Sequence, residues 1–410
     1  AVETWMIRPA DSTLSARSIP LLDHSQVSPV RVAATGVVTW HRTPDEWFRY
    51  RVPGSLTVAN DVRPLDAKDV VVPVGARTVT YEFAKEIVGY PFIEIDAPRG
   101  TVVEIMVQES HDPVARPWLD SHHFQWTRFV CPGGRFRFEA FDYEALRWMQ
   151  LHVHEHDAPV TVRRVGVVQR IYAWPRPYAT ATDDAALQRL WDAASATLDN
   201  SAQDIVVDGM GRERQQYSGD CGHQLHAVRM ARGEVRLPAR YLRTFAQGQF
   251  LSGVFSDSWP AVDRLQRLWE RQIDGSVWGP IIDHSIGFGF DHYHHWMESG
   301  DLSPFVDNAD RVAKFVAFLR RDAEPDGWLP SVRTDEHAVW LDHDAYPSAA
   351  HKRGALNLYA VAMLRHAYAP LLRATGRPTA EVESFADGLL KKTIAEGWDP
   401  ARRLFVGGLP

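Results

Sequence analysis

The sequence predicts a multidomain β + α protein in which an antiparallel β-sandwich precedes a layered helical region. Two observations favour this order. Apolar and polar side chains alternate along short segments between residues 93 and 154, and apolar stripes at helical spacing begin near residue 185. A third observation separates the two regions, because the prolines at 175 and 177 stiffen the chain between them. At 410 residues the chain is long enough for two or three domains.

Short strands are predicted in the first half because an alternation with a period of two gives each segment one apolar face. The segments with this pattern are 93–96, 103–108 and 149–154. Prolines and glycines that favour turns separate them at 97–100 and 131–134. Short strands spaced by such turns favour an antiparallel sandwich.

The predicted domain limits follow from where these patterns change. Residues 69–173 form the predicted sandwich domain, and residues 178–410 form the predicted helical domain. Residues 1–68 have weaker periodicity and several prolines, and we expect the tail of a preceding β-rich module or a linker there.

Helices are predicted after the proline-bearing linker, beginning with an N-cap at 182–184 and an apolar stripe from Leu187 to Leu198. Further helical runs lie near 220–232, 238–251, 258–273, 285–298, 301–321, 354–374 and 380–395. Long amphipathic helices in succession, with no strand between them, imply a helical layer architecture.

The composition excludes several classes of function. A net charge of −7 gives no field that would gather nucleic acid or an anionic membrane. No apolar run approaches the roughly 20 residues of a membrane span, so we expect a soluble protein, in a bacterial-type periplasm or cytoplasm. Cys131 and Cys221 are far apart and are predicted to be free thiols. The 15 tryptophans, 12 tyrosines and 18 phenylalanines suit either a large core or a carbohydrate binder.

The segment from Asp208 to Asp220 has the strongest chemical signal. It packs carboxylates, arginines and glycines into a loop before a helix, and such a loop can fix side chains at a pocket mouth. Glu213 can serve as a general acid if burial raises its pKa against the opposing effect of Arg212 and Arg214. The alternative is a capping network, in which Asp220 favours the helix start and the arginines neutralise their neighbours.

This loop resembles the signature of family 78 glycoside hydrolases, the α-L-rhamnosidases. The signature is an Asp, then Arg followed by an acidic residue, then an aromatic residue, and then Gly-Asp. Asp208 precedes Glu213 by five positions, and Asp220 follows it by seven. Segments 81–83, 86–90 and 93–101 are also similar to the family, so that the resemblance runs from about residue 75 to the end.

The resemblance implies a fold, a reaction and roles for residues. The helical domain would be an (α/α)6 barrel that removes terminal α-L-rhamnose from oligosaccharides, polysaccharides or glycosides with inversion. Glu213 would be the general acid. Asp208 and Asp220 would bind rhamnose hydroxyls with the help of Arg212. Tyr217 stands where many relatives carry a Trp, and it would make the stacking contact with the sugar.

Two downstream segments resemble family segments that contribute side chains to the pocket. The segment 280–284 provides Asp283, an acidic candidate. The segment 339–343 provides Asp342 and also Trp340, which is a candidate platform for a sugar ring. The alternative for both segments is ordinary polarity at the start of a helix.

Metal ions and cofactors are not expected. His292 and His295 lie three residues apart on a predicted helix without a matching distant pair, which favours a structural or pocket-rim role over metal binding. No loop has a convincing oxygen-ligand spacing for calcium.

The catalytic base and the end of the barrel are expected outside these residues. An (α/α)6 barrel requires twelve helices, more than the runs predicted over 178–410. An inverting glycosidase also needs a second carboxyl group, and in the family this base is a Glu late in the barrel. We expect a C-terminal segment or a second polypeptide to complete the barrel. Within the chain, Asp283 and Asp342 are the only substitutes for the base.

Two other functions stay open. One is an (α/α)6 hydrolase of a different sugar, against which the spacing of the 208–220 loop argues. The other is a non-catalytic rhamnose-binding protein. Against this second function, a carboxylic acid beside the leaving oxygen helps chemistry more than it helps ground-state affinity.

Overall fold

A computed structural model of the chain describes residues 16–41, 56–119, 126–175, 181–211, 214–260, 280–323, 325–331, 337–341 and 352–405. Within these ranges a large antiparallel sheet comes first and helices follow from residue 185. This confirms the predicted order of a β region before an α region. No helix within the described ranges has the length and apolar character needed to cross a membrane.

Ten strands make up the large sheet. They are β1 (Asp23–Val27), β2 (Arg31–Trp40), β3 (Leu56–Asp61), β4 (Val70–Val72), β5 (Arg77–Ala97), β6 (Val102–Gln108), β7 (Trp126–Val130), β8 (Gly134–Glu139), β9 (Glu144–His154) and β10 (Val160–Ile171). The segments predicted as strands fall in β5, β6 and β9. A short pair, β11 (Trp398–Asp399) and β12 (Leu404–Phe405), lies near the other end.

Strand β5 is 21 residues long, and its two halves have different neighbours. Residues 77–82 pair with β2 and β9, and residues 87–89 pair with β9 again. Residues 89–96 pair with β10, and residues 92–97 pair with β8. The pairing with β9 shifts register between Glu82 and Ile87. Side chains from both halves, including Tyr81 and Ile93, pack into one apolar core. The long strand therefore connects two groups of strands that share a core.

The first three strands continue this sheet. Strand β1 pairs with β10, β2 pairs with β5, and β3 pairs with β2. These strands lie in the range 1–68, where we expected the tail of a preceding module or a linker. Their hydrogen bonds satisfy backbone groups at the edges of β5 and β10, so the sheet shows no break at residue 68.

The turns predicted at 97–100 and 131–134 are present, and each contains a glycine with a positive φ. Gly100 has a φ of +91° and Gly133 a φ of +99°, in the left-handed region that residues with a Cβ rarely adopt. The Gly100 N–H donates to Cys131 O at 2.9 Å, so the two turns lie side by side. Cys131 and Cys221 are buried free thiols, as predicted.

Helices follow from residue 185. They are α1 (Ala185–Ser201), α2 (Ser218–Arg232), α3 (Arg236–Phe245), α4 (Ile282–Ser299), α5 (Ser303–Ala323), α6 (Arg353–Met363), a π-helical turn (Leu364–Tyr368), α7 (Ala369–Ala374) and α8 (Ala380–Gly397). The N-cap predicted at 182–184 is Asp184, whose Oδ1 accepts from Ala186 N and Leu187 N.

Two features of the helical half differ from the sequence prediction. In the predicted helix near 258–273, residues 258–260 are not helical, and 261–279 lie outside the described residues. Trp259 N donates instead to Gln216 O, and the Gln216 side chain donates to Trp259 O at 2.6 Å. On α1, Leu187 and Leu190 are 55% and 66% exposed, so the described part of the chain leaves this end of the apolar stripe uncovered.

Aromatic packing around α4 holds the helical half together. Phe288 of α4 has its ring centroid 4.8 Å from that of Phe245 and 4.9 Å from that of Phe255. All three rings are buried in the core that α2 to α8 share. Helix α4 also packs against both α2 and α6, which places the residues of these three helices around a common cleft.

Candidate active site

A cleft of about 630 Å³ opens between the first turns of α2, helix α4 and the segment 337–341. Three carboxyl groups line it, those of Asp220, Asp283 and Asp291, and three aromatic side chains, those of Phe290, Trp340 and Tyr359. Acidic groups beside aromatic faces are suited to a polar ligand that also has an apolar face.

The cleft brings together some of the predicted site residues. Asp220, Asp283 and Trp340 all line it, although they come from three separate segments of the chain. Asp208 and Tyr217 are described and are not among the lining residues. Arg212, Glu213 and Asp342 lie outside the described residues.

Asp283 holds the segment that carries Trp340. Its Oδ1 accepts from Trp340 N at 2.7 Å, and its Oδ2 accepts from Leu341 N at 2.9 Å. Lys352 Nζ donates to Trp340 O at 2.6 Å on the other side. Asp283 is 5% exposed and Leu341 has a φ of +50°. With both oxygens bound to backbone amides, the Asp283 carboxylate acts as a clamp that sets the position of Trp340.

Asp291 is the cleft carboxyl group that was not predicted from the sequence. It is 5% exposed, and Tyr241 Oη donates to its Oδ2 at 2.8 Å. A Cβ on Gly222 would lie 2.6 Å from Asp291 Oδ1, so the glycine allows α2 to approach this oxygen. Burial raises the pKa of Asp291 to about 7, against the opposing effect of the Tyr241 hydrogen bond. The spacing between Asp283 and Asp291 could have identified it, because residues eight positions apart lie on the same broad face of a helix.

Asp208 closes the loop that leads to the cleft. Its Oδ1 accepts from Gln215 N at 2.9 Å, and its own N–H donates to Gln215 O at 3.0 Å. Arg214 N donates to Gly209 O at 2.9 Å inside the same loop. These bonds give the half-buried Asp208 a structural role at the base of the loop.

Side chains of the sheet anchor the loop on both sides of residues 212 and 213. The Arg214 guanidinium is buried, pairs with Glu144, and has its Nη1 3.2 Å from Asp142 Oδ2. On the other side, a Cβ on Gly211 would lie 2.5 Å from Glu109 Oε1. The charge of Arg214 is thus balanced by Glu144 on β9 and by Asp142 in the turn before that strand.

Tyr217 occupies a buried position at the start of α2. It is 7% exposed, and its backbone forms a bridge with Ser258. The adjoining Gln216–Trp259 hydrogen bonds hold the chain in this arrangement. Of the two predicted aromatic residues, Trp340 lines the cleft, whereas Tyr217 is buried and is not among the lining residues.

The histidines at 292 and 295 are both buried on α4, and His292 contacts the helical core. His292 Nδ1 lies 2.9 Å from Phe288 O, and its Nε2 lies 3.1 Å from Asn308 Nδ2. Burial lowers the pKa of His292 to about 4. A neutral ring that donates through one nitrogen and accepts through the other fits both contacts, which supports the structural role.

Comparisons with known proteins agree with this architecture. The model of the bacterial alpha-L-rhamnosidase 6 hairpin glycosidase domain matches residues 179–386, which is half of the chain. No curated protein sequence matches.

Several solved structures share the fold. The GH78 family rhamnosidase of Bacillus sp. GL1 is 19% identical with a TM-score of 0.72, over 86% of this chain and 37% of that chain. The rhamnosidase from Klebsiella oxytoca with rhamnose bound is 18% identical with a TM-score of 0.72, over 95% of this chain and 74% of that chain. The Streptomyces avermitilis alpha-L-rhamnosidase complexed with L-rhamnose is 16% identical with a TM-score of 0.61, over 84% of this chain and 33% of that chain.

The chain thus spans little more than a third of the Bacillus protein and about three quarters of the Klebsiella protein. At these identities the structures establish a common fold, and the family model establishes the family. The chain belongs to the family of bacterial α-L-rhamnosidase six-hairpin glycosidase domains.

Proposed function

We propose that this chain is a glycoside hydrolase that releases terminal α-L-rhamnose from oligosaccharides, polysaccharides or glycosides. The observation that carries the proposal is the meeting of Asp220, Asp283 and Trp340 in one cleft that follows the 208–220 loop. Family membership supports the reaction class. The bound rhamnose in the Klebsiella and Streptomyces structures supports the choice of sugar.

The properties of the cleft suit a single sugar ring. Its volume of about 630 Å³ is in the usual range for small-molecule sites. Trp340 is half-exposed, so that one face of the indole can pack on the apolar C–H face of a sugar. Asp220 is exposed in the first turn of α2, where a carboxylate can accept hydrogen bonds from sugar hydroxyls.

For the mechanism, we propose Glu213 as the general acid of an inverting hydrolysis, with Arg212 assisting sugar binding. The spacing of Asp208, Glu213 and Asp220 supports this assignment, as do the two anchors that hold the loop at Gly211 and Arg214. In such a reaction the acid protonates the leaving oxygen while a second carboxylate activates water on the opposite face of the sugar.

The roles of the other predicted residues are refined by their contacts. We propose Asp283 as a positioning residue, since its two oxygens already accept from backbone amides. That occupancy argues against Asp283 as the base. Asp208 would stabilise the loop from below the sugar, and Tyr217 would pack beneath the cleft. Asp342 stays a prediction from the sequence.

For the domains, we propose a β-sandwich built on residues 69–173 with β1 to β3 added, followed by part of an (α/α)6 barrel from residue 178. The two sets of partners of β5 and their common core support the sandwich. The six-hairpin description of the matching family supports the barrel.

The test is rhamnose release from an unactivated α-L-rhamnoside, such as a rhamnosylated flavonoid. We expect Glu213→Gln to lose roughly 10²- to 10⁴-fold in rate, as is typical when a general acid is removed. A nitrophenyl rhamnoside should be affected less, because nitrophenolate leaves without a proton. The matched control is Glu381→Gln, since that side chain is 86% exposed and lies on α8.

The outcomes separate the candidate functions. Release by the unchanged chain that collapses only in Glu213→Gln supports the proposal and the acid. Rhamnose binding by calorimetry without any release would support the non-catalytic rhamnose-binding protein. If the chain neither binds rhamnose nor releases it, rhamnose is no longer the proposed sugar.

A further inference from the structure

A buried cluster of metal-ligand side chains lies in the sheet, on strands β6 and β9. Glu104 stands directly opposite His152 in the pairing of the two strands. His154 is two residues further along β9, so its side chain points to the same face of the sheet as that of His152. The exposed fractions of Glu104, His152 and His154 are 0%, 0% and 2%.

The ligand atoms lie close enough to one another to share one metal ion. His152 Nδ1 lies 3.1 Å from Glu104 Oε2, and His154 Nε2 lies 3.7 Å from the same oxygen. Each residue offers one atom such that all three lie within 4.8 Å of one another. Zinc ligands at 2.0–2.1 Å in a tetrahedron are about 3.4 Å apart, and the two distances to Oε2 lie on either side of that value.

Hydrogen bonding does not explain why the polar side chain of His154 is buried. Within the described part of the chain, neither of its ring nitrogens has a hydrogen-bond partner, although both are buried. The 3.7 Å between Nε2 and Glu104 Oε2 is too long for a hydrogen bond but suits two ligands of a common ion. Glu155 Oε1, 3.5 Å from Nδ1, does not meet hydrogen-bond geometry. Buried polar groups are rarely left in this state.

The surroundings of the cluster suit a structural site. Arg128 Nε lies 3.7 Å from Glu104 Oε1, the oxygen that does not face the histidines, so the carboxylate can contact an ion and the guanidinium at once. The indole of Trp40 packs 5.1 Å from the His152 ring, and that of Trp118 packs 5.4 Å from it. An ion enclosed in this way would enter as the sheet folds.

We propose that Glu104, His152 and His154 bind a divalent transition-metal ion, with Zn²⁺ as the best-matched species, and that this ion ties β6 to β9. Two imidazole nitrogens and one carboxylate oxygen favour zinc-like ions over calcium or magnesium, which prefer oxygen ligands alone. No metal was predicted from the sequence because these ligands become neighbours only when the two strands pair. The proposal is independent of the proposed rhamnosidase function.

The test measures zinc content in the full chain. The protein is unfolded in a denaturant that contains a chelator, refolded by dialysis into Zn²⁺ at low micromolar concentration, and analysed for bound metal. We expect one zinc per chain, and an affinity at least about 100-fold weaker in His154→Gln, since losing even an outer-shell partner can cost this much. His24→Gln, on exposed β1, is the matched control and should retain the ion.

Two further measurements keep the test decisive. Co²⁺ supplied in place of Zn²⁺ while the unchanged chain refolds should give the visible absorption of a tetrahedral site and quench tryptophan fluorescence, because Trp40 and Trp118 adjoin the cluster. Glu104→Gln serves as the second variant if circular dichroism shows that His154→Gln does not fold. The proposal is overturned if the refolded chain takes up no zinc, or if folded His154→Gln or Glu104→Gln retains it with unchanged affinity.

Discussion

At the scale of single residues, burial decides the chemistry of Asp291. Its pKa of about 7 lies well above the ordinary value of 3.8, and desolvation is the cause. The folded protein therefore keeps a proton that the unfolded chain releases between about pH 4 and pH 7. Because the native state binds more protons in that window, the free energy of unfolding contributed by this group falls as the pH rises through it.

We expect Asp291→Asn to remove this pH dependence. Asparagine has nearly the same shape and can still accept from Tyr241 Oη, but it does not ionise. The variant should gain stability relative to the unchanged chain between about pH 4 and pH 7, by at most about 4 kcal/mol. Denaturant unfolding near pH 5 and near pH 8 measures the difference. Equal pH slopes for the two proteins would contradict a raised pKa, and Asp310→Asn, fully exposed, is the control.

Asp283 has an effect on the cleft that passes through another residue. Its carboxylate holds the backbone of Trp340 and Leu341. If the proposed function holds, Asp283→Ala should weaken rhamnose binding about tenfold, because the indole loses its fixed position, and Trp340→Ala should weaken it at least as much.

A double-mutant cycle distinguishes this clamp from a direct contact with the sugar. With Trp340→Ala already present, adding Asp283→Ala should change the dissociation constant, measured by calorimetry, by less than about twofold. Additive losses would mean that the Asp283 carboxylate contacts the ligand itself.

At the scale of elements, the 208–220 loop depends on the sheet. The Arg214 guanidinium is 1% exposed, lies 4.7 Å from the Tyr143 ring centroid, and pairs with Glu144 of β9. Arg214→Met should retain most of the packing and leave the buried Glu144 carboxylate without this cation. We expect a loss of about 3 kcal/mol in the free energy of unfolding, measured by denaturant titration.

Two comparisons check this prediction. Adding Glu144→Gln to Arg214→Met should restore part of the stability, since it removes the buried charge. Arg147→Met, whose side chain is 46% exposed beside Glu82, should cost less than about 1 kcal/mol. Equal losses in the free energy of unfolding for the two arginine variants would show that the buried Arg214 pair stabilises the protein no more than an exposed pair.

At the scale of the whole molecule, an apolar contact joins the sheet to the helical half. Val88, Tyr143 and Ala145 of the sheet region pack against Ile205, Val207 and Met210. Polar contacts add to it, as Arg170 Nη2 lies 3.3 Å from Asp204 Oδ2. The chain just before the 208–220 loop, and the start of the loop itself, therefore pack against the sheet.

We expect the two halves to remain associated after the chain is cut between them. A protease site introduced between residues 176 and 180 should yield fragments that co-elute in gel filtration, because separation would expose the apolar contact. Val207→Asp places a charge at a position that is 0% exposed and should cause the cut fragments to separate. Fragments that separate without that substitution would contradict a stable contact.

The sequence by itself determined what depends on residues close together in the chain. Alternation located β5, β6 and β9, helical stripes located most of the helices, and the spacing within 208–220 indicated the family before any comparison. Local signals failed where distant contacts outweighed them. Trp259 bonds to Gln216 instead of to a helical turn, and the apolar stripe of α1 did not indicate that Leu187 and Leu190 are exposed.

Only the tertiary structure decided which of these residues act together. Asp283 became a clamp because α4 brings its carboxylate to the amides of Trp340 and Leu341, 57 and 58 positions away. Burial raises the pKa of Asp291, and the pairing of β6 with β9 places Glu104 beside two histidines. The physical reason is that side-chain chemistry depends on desolvation and on partners within a few ångströms, whereas sequence patterns describe neighbours along the chain.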